Sequence, residues 1–183
     1  TLGGLQGVAH AASFPGGSEG GAPLNLEQGH PGQEPGASAD IGNTSIQALT
    51  AGSGGGIYAG SFGMGIFRSA DRGGSWTSAN QGLTDPFVLC LTTGKDGAIY
   101  AGTFRGGVFR SRDGGKIWQP VNKGLKRLEI KALMMDAKGL YAGTGDGVYL
   151  LNAAQDHWKV VTTGLDEILV HALARTDDGT LYA

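Results

Sequence analysis

Two octets hold the residue types most suited to chemistry. SADRGGSW (69–76) and SRDGGKIW (111–118) both fit Ser-x-Asp-x-Gly-x-x-Trp. A hydroxyl, a carboxylate and an indole at fixed spacing are the parts of a site. They are also the parts of a hairpin. An Asp opening a tight turn accepts backbone N–H bonds across it, and a Ser adds a second local bond. Gly73 and Gly115 permit positive φ. Trp76 and Trp118 would open the next strand and pack their rings, each indole N–H finding a nearby acceptor.

Other polar groups bear on the same question. Arg68 and Arg110 each follow an aromatic residue and precede an octet. Paired arginines suit a carboxylate ligand, and equally suit covering a sheet edge or pairing with the octet acids. A two-carboxylate glycosidase pair has Asp85, Glu129, Asp146, Asp166 and Glu167 to draw on, but no motif selects two of them. His171 has no companion His or Cys at ligand spacing, so no metal site is assigned. No residue is assigned a catalytic role, and no cofactor is expected.

The elements that must position these groups repeat. Tyr-Ala-Gly stands at 58–60, 100–102 and 141–143, and Tyr182-Ala183 repeats its start, at spacings of 42, 41 and 41. Trp76, Trp118 and Trp158 recur at 42 and 40. Gly-Leu follows each Trp by six residues, at 82–83, 124–125 and 164–165. IQAL (46–49), VLCL (88–91), IKAL (130–133) and VHAL (170–173) form a fourth column. A repeat of about 41 residues built of short strands indicates propeller blades.

Within the second repeat, turn signals separate four strands. These are VLCLTT (88–93), AIYAGTF (98–104), VFRS (108–111) and WQPV (118–121). Pro120 suits an outer edge, where a missing N–H is tolerated. The expected fold is all-β, with blades of four antiparallel strands. Complete repeats span 43–84, 85–126 and 127–166, and a fourth starts at Asp166. Three and a half blades make an incomplete ring, which implies either a fragment or closure by several chains. The domain reading is therefore a partial propeller over 43–183. Residues 1–42 are rich in Pro and Gly, poor in β-branched and aromatic residues, and read as a disordered linker. GVAHAAS (7–13) fits the small-residue tail of a signal peptide as well as a plain linker.

The octets resemble Asp-box, or BNR, repeats, and 100–125 resembles bacterial YVTN/BNR-like propellers in general. Such repeats occur in sialidases, xyloglucanase-type glycoside hydrolases, sortilin-type receptors and the photosystem II assembly factor. The resemblance covers about 43–183. It implies that Ser69, Asp71, Gly73, Trp76, Ser111, Asp113, Gly115, Trp118 and Trp158 are hairpin and packing residues. It also implies that the boxes lie on the face away from a sialidase-type active site. The third copy, LNAAQDHW (151–158), keeps Trp158 but has Leu151, Ala153 and Gln155 at the Ser, Asp and Gly positions, so a looser hairpin is expected. A sialidase site needs an arginine cluster and a Tyr nucleophile. The tyrosines here are repeat landmarks, apart from Tyr149 in the third strand of its repeat.

Function is then expected on the opposite rim, where turns between second and third strands meet links between blades. The candidate binding rim comprises Phe62, Met64, Phe104, Arg105, Asp146, Asp85, Arg127 and Glu129. Phe62 and Phe104 share a repeat position and form either an aromatic rim or a plug between blades. The preferred reading is a non-catalytic module for binding or assembly, with a protein or carbohydrate ligand. A glycoside hydrolase fragment and an extracellular sensor propeller are the alternatives. With 14 Lys+Arg against 16 Asp+Glu, net −2, a nucleic-acid partner is not expected. No apolar run approaches the ~18 residues of a membrane span. Cys90 is the one cysteine, which excludes an intrachain disulfide. The expected location is extracytoplasmic, periplasmic or secreted. Glycine numbers 35 of 183 residues, well above the typical ~7%, consistent with many tight turns.

Overall fold

The computed structural model describes residues 39–152, 156–162 and 169–183. The expected linker up to residue 38 lies outside these, as do Ala153, Gln155, the third Gly-Leu, Asp166 and Glu167. The described residues are all-β, and no helix among them is long and apolar enough to cross a membrane.

Three four-stranded antiparallel meanders follow one another along the chain. The first comprises β1 (Ile46–Ala51), β2 (Ile57–Ser61), β3 (Ile66–Ser69) and β4 (Thr77–Ser78). The second comprises β5 (Val88–Thr93), β6 (Ile99–Thr103), β7 (Val108–Ser111) and β8 (Gln119–Pro120). The third comprises β9 (Ala132–Met135), β10 (Leu140–Thr144), β11 (Gly147–Leu151) and β12 (Trp158–Val160). A two-stranded pair, β13 (Ala174–Arg175) and β14 (Leu181–Tyr182), follows. Each meander is one blade, and strand order within it equals chain order. Pro120 lies exposed on the outermost strand, paired with Phe109, where its missing N–H breaks no further ladder.

The core lies between blades rather than within them. Tyr58, Ile66 and Ala79 of the first blade cluster with Val88, Ile99, Phe109 and Trp118 of the second. Tyr100, Val108 and Val121 cluster with Ile130, Leu140, Tyr149 and Trp158 of the third. Tyr141 and Val148 pack on Val170. A single sheet cannot bury both faces, so blades stack to remove them from water.

Two sequence columns meet in these interfaces. The glycine of each Tyr-Ala-Gly faces the β-branched residue at the head of the next VLCL-type column, which opens β5 at Val88 and precedes β9 and β13 at Ile130 and Val170. A methyl on Gly60 would lie 2.5 Å from Val88 Cγ1, on Gly102 2.6 Å from Ile130 Cγ2, and on Gly143 2.7 Å from Val170 Cγ1. Glycine is needed there for close approach rather than for its dihedral angles. Between them, Ala59, Ala101 and Ala142 are fully buried.

Residues 39–42 extend this pattern backward. Ala39 N–H donates to the Trp76 carbonyl at 2.6 Å; the equivalent pair one repeat on bonds in the opposite direction, Trp118 N–H donating to the Gln81 carbonyl at 2.8 Å. Ala39 and Gln81 stand 42 positions apart, as do Trp76 and Trp118. The segment before β1 therefore occupies the place that the end of one blade takes against the next.

Candidate functional site

The octets form closed local networks. Ser69 Oγ donates to Asp71 Oδ1 at 2.8 Å and accepts from Gly73 N–H at 2.7 Å. Asp71 also accepts the Ser75 amide at 2.8 Å and the Ser75 hydroxyl at 2.7 Å. In the second copy, Ser111 Oγ donates to Asp113 Oδ1 at 2.7 Å and accepts from Gly115 N–H at 2.9 Å. Asp113 accepts the amides of Lys116 and Ile117, both at 3.0 Å. The Ser75 hydroxyl, then the Ser75 amide and the Ser69 hydroxyl, hold the Asp71 carboxyl down at about 2. Asp113 is lowered too, chiefly by the Ile117 amide. Carboxylates held ionised by donors on their own turn are poor proton acceptors, and both hydroxyls already give their protons to those carboxylates.

The tryptophans differ in surroundings. Trp118 is buried and donates its Nε1–H to the Ala79 carbonyl of the preceding blade at 2.7 Å. Trp158 does the same to the Val121 carbonyl. Trp76 is only half-buried. Leu151, at the Ser position of the third copy, is buried and apolar.

On the other side, the β2–β3 and β6–β7 turns meet the link between the first two blades. Asp85 fixes this junction. It is buried, and its Oδ2 accepts the amides of Arg105 at 2.6 Å and Gly106 at 2.8 Å. Its Oδ1 accepts the Phe87 amide at 3.1 Å. Burial alone would raise this carboxyl; the amides of Arg105, Phe87 and Gly106 outweigh it and hold it below the usual range. Asp146 is engaged likewise, accepting from the Thr144 hydroxyl at 2.7 Å and the Tyr149 hydroxyl at 2.8 Å. The Tyr149 hydroxyl is pushed up to about 12, first by burial and then by Asp146. Glu129 pairs with Lys131 at 2.6 Å. The three described carboxylates weighed as a glycosidase pair thus each have a partner on this rim.

The aromatic residues of the rim gather. Phe62 and Phe87 meet edge to face at 4.9 Å, and Phe62 and Phe104 at 6.3 Å. The Arg105 guanidinium stands 5.2 Å from the Phe104 ring centroid and the Lys131 ammonium 5.7 Å. A depression of about 470 Å³ is lined by Phe104, Arg105, Arg127, Leu128, Glu129 and Gly145. Phe62 is 46% exposed, Met64 56% and Leu128 40%, while Phe87 and Phe104 are half-buried, so the cluster opens to solvent at Phe62. Phe87 belongs to the inter-blade link LTDPF (83–87), which the sequence places at this rim, whereas Lys131 belongs to the IKAL column of first strands, and nothing local indicates that its side chain reaches the rim.

One repeated pair escaped the sequence reading although its signal was present. Asn80 and Asn122 stand 42 apart. Asn80 accepts the Ile66 amide at 2.7 Å and donates to the Met64 carbonyl at 3.1 Å. Asn122 accepts the Val108 amide at 2.7 Å and donates to the Gly106 carbonyl at 2.8 Å. Each ties the outer strand to the rim turn of its own blade. Among the described residues no three His, Cys, Asp or Glu side chains gather as a metal site would require. The Cys90 thiol is pushed up to about 12 by burial and is no nucleophile.

No family model matches this chain, and no curated protein does either. Solved structures do. The extracellular domain of the putative hybrid two component system BT4673 from B. thetaiotaomicron aligns with TM-score 0.64 at 16% identity, over 75% of this chain and 19% of that one. A structure of YCF48 bound to D1 peptide aligns with TM-score 0.57 at 17% identity, over 79% of this chain and 49% of that one. The computationally designed Ika4 protein aligns with TM-score 0.57 at 19% identity, over 82% of this chain and 96% of that one. The chain spans about a fifth of the BT4673 domain. Similarity at these identities concerns the fold, which is that of β-propeller blades.

Proposed function

We propose that this section of propeller is a non-catalytic binding module whose protein or carbohydrate partner seats on the rim around Phe104. The observation that carries this reading is the aromatic cluster Phe87–Phe62–Phe104, with Phe62 exposed and the other two half-buried, flanked by exposed Met64 and Leu128 and by the cations Arg105, Arg127 and Lys131. Soluble proteins seldom leave such residues together without a partner, and aromatic residues with Arg dominate binding hot spots. Asp85 and Asp146 support the row by holding its turns. The octets are read as Asp-box hairpin staples on the far side.

A second reading rests on the neighbours. BT4673 and BT3049 contribute extracellular domains of putative two component systems, which favours a sensor propeller and a place outside the cytoplasm. YCF48 was solved with a peptide, which favours a protein ligand. The carboxylate partners on the rim weigh against the hydrolase alternative.

The test displays the full 183-residue chain to arrays of short peptides and of glycans, beside Phe104→Ala and Arg105→Glu variants. Wild type should retain a subset carrying acidic and apolar groups, and both variants should lose it. Retention patterns unchanged by either variant would overturn the rim assignment. Release of sugar from xyloglucan or a model sialoside would overturn the non-catalytic reading.

A further inference from the structure

The depression beside Phe104 is unbalanced in charge. Arg105 and Arg127 line it and are exposed, and neither makes an ion pair among the described residues. Lys126 adjoins Arg127 and is exposed as well. In the lining itself the two guanidiniums meet one carboxylate, Glu129, and Lys131 neutralises that one at 2.6 Å. The other described acids of this rim are spent on their own turns. Asp85 is buried under the amides of Phe87, Arg105 and Gly106, and Asp146 accepts the hydroxyls of Thr144 and Tyr149. A positive patch thus stands on a chain whose net charge is −2.

Both guanidiniums stem from backbone that is held in place. Asp85 accepts the Arg105 amide at 2.6 Å, and the Arg105 guanidinium lies 5.2 Å from the Phe104 centroid. The Gly107 amide donates to the Leu128 carbonyl at 3.0 Å, which ties the link carrying Arg127 to the turn carrying Arg105. Groups placed before a ligand arrives lose less freedom when it binds.

The aromatic geometry narrows the class of ligand. Phe62 meets Phe87 at 64° and Phe104 at 61°, and Arg105 and Lys131 already lie over the Phe104 ring. Rings so inclined form no flat platform on which a sugar face or a run of bases could stack. What the depression offers instead is two guanidiniums, which suit carboxylate oxygens, beside the exposed apolar side chain of Leu128.

We infer that the partner is an acidic peptide segment, one in which Asp or Glu stands next to a large apolar residue; this rests on the rim reading above. The carboxylate is held by Arg105 and Arg127. The apolar neighbour lies on Leu128 and Phe104, which line the same depression.

The probe is a fluorescein-labelled peptide, Gly-Ser-Glu-Leu-Glu-Phe-Gly-Ser, beside a counterpart with Gln for each Glu, added to the full chain and read by anisotropy. Saturable binding is expected for the Glu peptide, at least about tenfold weaker for the Gln peptide, and weakened by added salt. Arg127→Glu, at an exposed position, should weaken it at least about tenfold, a change of about 1.4 kcal/mol. Lys116→Glu makes the same charge change in an octet turn on the far side and should leave it unaltered. Four results would each overturn the inference. These are no saturable binding, equal binding of the Gln peptide, a Lys116→Glu variant as impaired as Arg127→Glu, and tighter binding of tetragalacturonate or oligothymidylate than of the Glu peptide. If array ligands are still lost in Phe104→Ala, such a result leaves the rim reading standing. Array retention that Phe104→Ala and Arg105→Glu do not change overturns both.

Discussion

Gly102 leaves room for Ile130: a methyl on Gly102 would stand 2.6 Å from Ile130 Cγ2 and 2.5 Å from Cys90 Sγ. Ile130 is fully buried and branched at Cβ, so it cannot swing away as a long side chain would. Gly102→Ala should therefore destabilise the chain by about 1–3 kcal/mol through overpacking. Combining it with Ile130→Ala should cost less than the sum of the two, because the second change removes the Ile130 Cγ2 clash and leaves only the one with Cys90 Sγ. Urea denaturation of the two single variants and the double variant measures this. Strict additivity would contradict the contact.

Trp118 and Trp76 occupy the same repeat position in different surroundings. Trp118 is 2% exposed and hydrogen-bonded to the preceding blade, whereas Trp76 is half-buried. Trp118→Ala should cost about 3–5 kcal/mol, and Trp76→Ala clearly less. Denaturation midpoints of the two variants decide it. Equal losses, or an unchanged midpoint for Trp118→Ala, would show that burial between blades is not what the indole contributes.

The octet carboxylates make stability depend on pH in the acid range. The folded chain holds Asp71 at about 2, below its ordinary 3.8, through Ser75 first and then Ser69. A depressed carboxyl favours the folded state once pH exceeds the unfolded value. That contribution is fully present above about pH 4 and fades as pH falls from 3.8 toward 2. Ser75→Ala should move the Asp71 titration upward, read by NMR at the side-chain carboxyl. The melting difference between wild type and Asp71→Asn should shrink over the same interval. An Asp71 that titrates at its ordinary value in wild type would refute the network.

The repeat frame was readable in the residues. The expected third strand VFRS coincides with β7, and VLCLTT with β5. Such segments are short, β-branched and bounded by glycine turns, so local signals suffice. The expected fourth strand WQPV narrows to Gln119–Pro120, because Trp118 spends its backbone and its indole on the preceding blade. The rim was less legible. Asp85 is expected as a binding-rim residue, yet it is buried under amides from residues 105 and 106, about twenty positions away. Phe87 meets Phe62, and Lys131 meets Phe104, only because the inter-blade links fold across the rim turns.

The sequence by itself determined the period, the strand order within each blade and the octets as local turns. All of these are set by residues within a few positions of one another, where chain connectivity fixes who meets whom. The tertiary structure alone decided what lies between blades. Partners such as Gly102 and Ile130, Trp118 and Ala79, or Tyr58 and Gly114 are about 30 to 60 positions apart. Their meeting depends on two sheets stacking to bury their faces, a collective packing outcome that no single stretch of chain encodes.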